Sequence, residues 1–466
     1  MFIDPYLNSG GLGVSEVPGG YQRREGFHPL EPDGFFNPPV AMGNGFESSA
    51  IATQWTFDER FFFLLGCFWG TTTGLSMLIG ALFWRLPLPI VMGGELGVVL
   101  LCLFLYGRGP AFLLSSLVDP AGVLMGLHLL AAIASAAVAN VAPIMTVRYL
   151  LLTASFSAMV YARSIGPKAI GAMRAGLTCG GFVVCIFNVP SISLGALNDP
   201  LYRLSAFLNP NANAIIGSIT AISVLDYAIG YWNLPDRRKR SVMLFCLAVL
   251  PILVVYLTRS RTGTLAMLAG IFVLLLLSTR LWVSVTVGVL AIPFYFIFHG
   301  AFASLGHGVS NVYALGERGR DIASLTGRTE AWQRLAVIWE ASPVFGGGPG
   351  AAVIGSHNGF LYNLAEVGAL GTLPLICLIM LATLSSIIHR KDPAMRAMIA
   401  IVAASLVESL AESEFFSFGS PSGLLFLLAV STLVGALFGK VNEPLLSGVG
   451  PLGSGSEPAP DQHPYF

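Results

Sequence analysis

The sequence predicts an all-α, polytopic membrane protein of about twelve transmembrane helices, with one larger outer loop that carries an amphipathic helix. Three observations predict it. Only 11% of the residues are charged and 55% are hydrophobic, whereas a soluble domain carries about 25% charged residues. Too little charge is present to cover a water-facing surface, so lipid has to be the main solvent. Apolar runs of spanning length, about 20 residues, recur from residue 61 to residue 438. The basic residues between those runs sort by type and by side. Net charge is zero, which gives no general attraction to nucleic acid.

Taken in order, residues 1–56 are rich in Gly, Pro and acidic residues and lack the basic-then-apolar pattern of a cleavable signal peptide. They read as a disordered cytoplasmic tail. Residues 57–440 form the membrane domain. Its predicted spans are 61–84, 89–106, 121–140, 142–161, 169–188, 212–232, 241–257, 263–279, 281–299, 358–388, 394–411 and 421–438. The third and fourth nearly touch at Asn140, and the tenth is long enough to tilt or to begin above the membrane. Residues 441–466, rich in Pro, Gly and Ser, read as a second disordered cytoplasmic tail. All six cysteines fall in apolar runs and none forms a C-x-x-C pair, so they read as small apolar residues with no disulfide framework and no zinc site.

Orientation follows from the positive-inside rule. With the N-terminus inside, Arg108, Arg163, Lys168, Arg174, Arg237, Arg238, Lys239, Arg240, Arg280, Arg390, Lys391, Arg396 and Lys440 fall on the inner side, and these include all four lysines of the chain. The outer basic residues are Arg85, Arg203, Arg259, Arg261, Arg318, Arg320, Arg328 and Arg334, every one an arginine. Arginine presents a planar fork that fits phosphate and carboxylate bidentately, whereas lysine is a point charge. The outer set therefore points to an anionic, phosphate-bearing ligand. The bland alternative for any single arginine is an acidic partner or a lipid headgroup.

Three outer stretches have the residue types for chemistry. Before the sixth span, Asn209-Pro210-Asn211 suits a helix start, with Arg203 just ahead; free backbone N–H groups at such a start favour anions. Between spans seven and eight, Arg259 and Arg261 flank Ser260 in a tight connection, where two like charges near hydrocarbon are costly unless an anion offsets them. The third runs from residue 327 to residue 368. Thr329 is placed to cap a helix whose apolar face is Trp332, Leu335, Ala336 and Trp339, suited to a lid or to a passive interfacial anchor. The run Phe345-Gly346-Gly347-Gly348-Pro349-Gly350 has neither a preceding strand nor a Lys-Ser/Thr ending, which excludes a nucleotide loop and leaves tight turns and close backbone approach. His357-Asn358 then opens the tenth span. An imidazole with an ordinary pKa of about 6.5 suits a general base. Glu366 shares a helix face with Tyr362, placed to orient a sugar or to pair with an arginine. Glu412 and Glu414 are further acidic candidates, or a solvated helix end.

These stretches, in this order and on this topology, resemble the O-antigen ligase and polysaccharide polymerase family of bacterial membrane glycosyltransferases. The resemblance rests on Arg203 with Asn209-Pro210-Asn211, Ser260-Arg261-Thr262-Gly263, Gly327-Arg328 with Trp332, Pro343 with Gly346-Gly347-Gly348, and His357-Asn358 with Glu366 and Gly368. It implies a multi-pass protein of the bacterial inner membrane, with both termini cytoplasmic and a periplasmic loop at about 300–356. It also implies a metal-independent transfer with no cofactor. The donor would be a glycan on undecaprenyl diphosphate, and the acceptor a hydroxyl of a glycan or of a lipid-linked glycan. Membrane lipids and other polysaccharide-assembly proteins are the further partners implied. In family terms His357 and Arg261 are catalytic. Arg203, Arg259, Arg328, Asn211, Asn358 and Glu366 bind substrate, Arg259 as an extra basic residue of the set. A polymerase is the leading expectation, for want of an added soluble domain. The alternatives are a ligase onto lipid A core, a protein O-oligosaccharyltransferase, and a lipid-linked glycan flippase or transporter. Transporters are usually built from internal repeats, and no such halves are visible here.

Overall fold

The computed structural model describes residues 55–82, 88–106, 111–191, 204, 210–232, 234–278, 328–352, 358–410, 412 and 420–439. Every α-helix among them belongs to one compact unit, Glu47–Phe466. In chain order they are α1 (Phe57–Leu82), α2 (Leu88–Tyr106), α3 (Ala111–Val118), α4 (Pro120–Val138), α5 (Val147–Ile165), α6 (Pro167–Asn188), α7 (Pro210–Trp232), α8 (Arg238–Thr258), α9 (Arg261–Ser278), α10 (Arg328–Ala341), α11 (Gly359–Ile388), α12 (Arg396–Ser409) and α13 (Pro421–Phe438). Among the described residues eight helices are long and apolar enough to cross a membrane: α4 to α9, α11 and α13. The protein is an all-helical, polytopic membrane protein. The predicted span 281–299 lies outside the described residues, as do most of the outer loop and both tails.

Local chemistry sets the helix starts. Asp119 caps α4, accepting from the N–H groups of Ala121 (3.0 Å) and Gly122 (3.3 Å), with Pro120 in the first turn. Ser420 does the same for α13 at Gly423 (3.1 Å), ahead of Pro421. Both use a side-chain oxygen for an otherwise orphaned donor and a proline where no donor is needed. Two departures from the sequence reading stand out. The short helix α3 was not expected. The tenth span is broken at Gly368, where φ is +62° and ψ is −167°, so its length is divided between two helical pieces instead of being taken up by tilt alone.

We call the end where α7, α9, α10 and α11 begin the upper end. There Asn211, Thr262, Arg328 and Glu412 meet, and Asn358 donates to the Leu410 carbonyl at 3.1 Å. At the lower end Arg163, late in α5, pairs with Asp119 and donates to the Ser431 carbonyl at 2.5 Å. α7 is the most enclosed span, packed by α6, α8, α9 and α12, and α13 comes next.

Because lipid tails are as apolar as leucine, helices in a membrane associate by close packing of small residues. The α1–α6 pair shows this. Gly66 and Gly70 face Gly176 and Gly180, two glycine pairs at the spacing of four that keeps them on one face. A Cβ on Gly176 would lie 2.2 Å from the Phe63 carbonyl oxygen, and one on Gly180 would lie 2.5 Å from the Gly70 carbonyl carbon. Both neighbours are backbone and cannot swing aside. Gly176→Val should therefore lower stability by about 1–3 kcal/mol, the usual cost of overpacking, read as a lower melting temperature in detergent. Gly97→Ala, at an exposed mid-helix position of α2 with open space around it, should keep or slightly raise the melting temperature, since alanine is the better helix former.

Candidate functional site

The upper end carries two polar clusters, and the break in α11 organises the first. A broken helix leaves backbone groups without partners, and in hydrocarbon each such group is costly. The glycine run answers this. Ala369 and Leu370, just past the break, donate to the carbonyls of Pro343 (2.9 Å) and Val344 (3.0 Å). Gly347 and Gly348 donate to the carbonyls of Ala365 (2.8 Å) and Glu366 (3.0 Å). Ser135 of α4 adds a bond to the Glu366 carbonyl at 2.7 Å, and His128 Nδ1 lies 2.8 Å from the Gly371 carbonyl oxygen. Gly346 and Gly368 make the approach possible. Both have positive φ, and a Cβ on either would lie within 2.6 Å of backbone across the joint. The expectation of tight turns and close backbone approach is what the loop does, with α11 as the element approached.

The Glu366 side chain closes the joint. It is fully buried. Its Oε1 accepts from the Gly350 N–H at 3.0 Å, and its Oε2 accepts from the Tyr149 hydroxyl at 2.5 Å and pairs with Arg148. Arg148 also donates to the Tyr362 hydroxyl and lies against the Tyr149 and Tyr362 rings, at 4.8 and 5.0 Å from their centroids. Of the two roles the sequence allows Glu366, the arginine partner is the one present. Arg148 and Tyr149 were missed because they sit inside a predicted span, where neither side of the membrane claims them. The available signal was charge parity: an ionisable group in a span faces the bundle and needs a partner.

The second cluster gathers helix starts. Arg328 donates to Glu412 Oε1 at 2.5 Å and to Thr262 Oγ1 at 3.3 Å, and Asn211 donates to the same Glu412 oxygen at 2.7 Å. Asn211, Thr262 and Arg328 lie in the first turns of α7, α9 and α10, so three positive helix ends surround one carboxylate. Arg261 is the first residue of α9, beside Thr262. Ser260 caps α9, accepting from Gly263 N–H at 3.2 Å, and Arg259 adopts the left-handed conformation with φ +52°. Asn358 caps α11 through Phe360 (3.1 Å) and Leu361 (2.9 Å). The structure thus joins Asn211 to Arg328 and places Arg261 next to them, while Glu366 belongs to the first cluster. His357 and Arg203 lie outside the described residues.

Helix α10 differs from its sequence reading in two details. It begins at Arg328, so Thr329 stands inside its first turn instead of capping it. Its buried face is Ala331 and Leu335 with Ile338, and the last two pack on Ala352, Leu361, Tyr362 and Ala365. Trp332 and Trp339 flank that face, about a quarter turn round at 100° per residue, and Trp339 Nε1 bonds the Pro343 carbonyl at 3.1 Å. Packing against α11 selects the smaller residues because the glycine loop brings α10 close.

Residues 246–376 match the family model described as O-antigen ligase, Wzy_C. The chain carries an O-antigen ligase domain. No curated protein matches the chain. The domain's family comprises membrane glycosyltransferases of the ligase and polymerase type. The matched stretch runs from α8 to the middle of α11, through Arg259, Arg261, Arg328, His357, Asn358 and Glu366. Both clusters of the O-antigen ligase domain are completed from outside it, by Arg148 and Tyr149 on one side and by Asn211 and Glu412 on the other. Removing a partner of a wholly buried ion pair costs about 3–5 kcal/mol; here Arg148 is 32% exposed, which lowers that term, but loss of the carboxylate also strips the Gly350 and Tyr149 donors of their acceptor. Glu366→Ala should therefore cause a large fall in melting temperature and in abundance. Glu366→Gln, which can still accept from Gly350, should lose clearly less. Equal losses in thermal denaturation would show that the Gly350 bond contributes nothing.

Proposed function

We propose that the protein is a membrane glycosyltransferase that moves a glycan from undecaprenyl diphosphate to an acceptor hydroxyl on the periplasmic face of the bacterial inner membrane, as a surface-polysaccharide or exopolysaccharide polymerase. The reading takes twelve spans, both termini cytoplasmic and the upper end periplasmic. One observation carries it: the starts of α7, α9 and α10 converge, with Asn211 and Arg328 donating to one carboxylate and Arg261 alongside. Helix starts and guanidinium forks are what a diphosphate needs.

In this mechanism the acceptor hydroxyl attacks the anomeric carbon. The new C–O bond forms as the bond from that carbon to the diphosphate oxygen breaks, and the electron pair leaves on the diphosphate. Arg261, Arg328 and Arg203 stabilise the charge that develops there, with Arg259 as a further cation. His357 takes the hydroxyl proton or orients the hydroxyl, and Asn358 and Asn211 hold the flanking groups. Glu366 is left to hold the fold of the site, since both of its oxygens are engaged.

The matched family's description names ligation, so transfer to lipid A core is the second reading. Membranes supplied with diphospholipid-linked repeat units provide the test. His357→Ala and Arg261→Ala, at normal abundance, should each lower transfer by about 100-fold or more, the range seen for a lost base or a lost charge stabiliser. Full activity in both would overturn the mechanism. In a deletion strain, loss of free polymer supports the polymerase, and loss of glycan from lipopolysaccharide alone supports the ligase.

A further inference from the structure

The lower end holds a charge imbalance that the transfer reaction does not use. Asp226, late in α7, accepts from Arg174 of α6 at 2.9 Å and from Arg396 of α12 at 2.7 Å. Arg396 also donates to the Asp226 carbonyl at 3.3 Å, and Arg174 donates to the Tyr227 hydroxyl at 3.0 Å while lying 4.3 Å from that ring's centroid. All three charged side chains are deeply buried, with 11%, 6% and 9% of Arg174, Asp226 and Arg396 exposed. Among the described residues two cations therefore share one anion, leaving one positive charge in excess. Among the described residues, Arg163 with Asp119 and Arg148 with Glu366 each join one cation to one anion.

A helix end adds to the imbalance. Arg396 opens α12, at a positive helix end where a cation is disfavoured. A guanidinium has five N–H donors, and the bonds above engage two on each arginine. The surroundings are basic as well. Arg237 and Arg238 lie over the rings of Tyr231 and Trp232 at the end of α7, at 5.7 and 5.9 Å. Lys239 and Arg240 follow, with Asp236 as the acidic residue of that turn, and Arg390 and Lys391, with Asp392, precede α12. Trp232, half exposed, suits the membrane–water boundary.

We infer that Arg174, Asp226 and Arg396 form a binding site for the phosphate of an anionic phospholipid headgroup, entered between α6, α7 and α12 at the lower end. A headgroup phosphodiester brings the single negative charge that closes the balance and acceptor oxygens for the remaining N–H groups. Basic pockets between transmembrane helices hold lipid headgroups in this way, and the exposed basic residues around Trp232 draw anionic lipid to the entrance. The inference is independent of the glycan reaction.

The test uses the full chain in nanodiscs of phosphatidylcholine or phosphatidylglycerol, with melting temperature and lipid retention in native mass spectrometry as readouts. The intact protein should prefer phosphatidylglycerol by about fivefold, the worth of roughly one charge near a membrane surface. Arg396→Gln leaves the Arg174–Asp226 pair neutral, so it should fold and lose the preference. Asp226→Asn raises the uncompensated charge, so phosphatidylglycerol should matter more to it. A preference that survives Arg396→Gln and disappears in the combined Arg237→Gln, Arg238→Gln, Lys239→Gln and Arg240→Gln variant would overturn the site in favour of surface attraction. Equal stabilisation by inorganic phosphate in phosphatidylcholine nanodiscs would overturn the lipid as its ligand.

Discussion

The structure turns on one demand of the membrane: a break in a spanning helix must leave no backbone group without a partner. In α11 the break at Gly368 is met by a loop only glycines can form. Gly346 folds back with positive φ, and the N–H groups of Gly347 and Gly348 reach the carbonyls that the break exposes. Glu366 then ties Gly350 of the loop to Tyr149 and Arg148 of α5. Because α10 packs on the first piece of α11 through Leu335 and Ile338, the same joint sets where Arg328 stands. A backbone requirement in the middle of a helix thus positions a guanidinium at the start of another.

Much of this was legible in the sequence, and the limits have physical causes. Apolar runs mark helices well because one residue type is needed along the whole length, so the predicted limits 121–140 and 212–232 lie within a few residues of α4 and α7. The helix start at Pro210 and the opening of α11 after Asn358 were legible because their chemistry is local, whereas the cap that Ser260 gives α9 went unread behind the two arginines beside it. Arg148 was not legible, because its meaning depends on Glu366, over 200 residues away. The same holds for Asp226, whose partners come from α6 and α12. The buried face of α10 was misplaced by about a quarter turn because tryptophan dominates any hydrophobic pattern, while close packing on α11 admits alanine and leucine instead. The glycine pairs of α1 and α6 went unread for a similar reason: small residues carry no hydrophobic signal, yet they set how near two helices come.

The matched domain and the site do not have the same edges. O-antigen ligase similarity begins inside α8 and ends inside α11. The carboxylate that gathers Arg328 is Glu412, and the side chain that shares it is Asn211, on either side of that stretch in the chain. Arg148 and Tyr149 come from further still. The central helix α7 explains how this works. Its upper turn supplies Asn211 and its lower part Asp226, about 22 Å apart at 1.5 Å per residue, so one enclosed helix joins the polar clusters of both ends.

A discontinuous helix near an intramembrane carboxylate is also a feature of transporters, where unwound backbone carbonyls and half-helix ends coordinate the moving ion. The joint in α11 is built differently. The carbonyls of Ala365 and Glu366 are occupied by Gly347, Gly348 and Ser135, and both oxygens of the Glu366 side chain are engaged. An ion or substrate coordinated there would have to displace several short bonds at once, in surroundings where each lost bond goes unreplaced by water. The arrangement favours a rigid joint over a site that loads and empties. The proposed chemistry on an anionic substrate then belongs to the other cluster, where Arg328 and Asn211 share one carboxylate at three helix starts, and where helix N–H ends and a guanidinium fork suit an incoming phosphate.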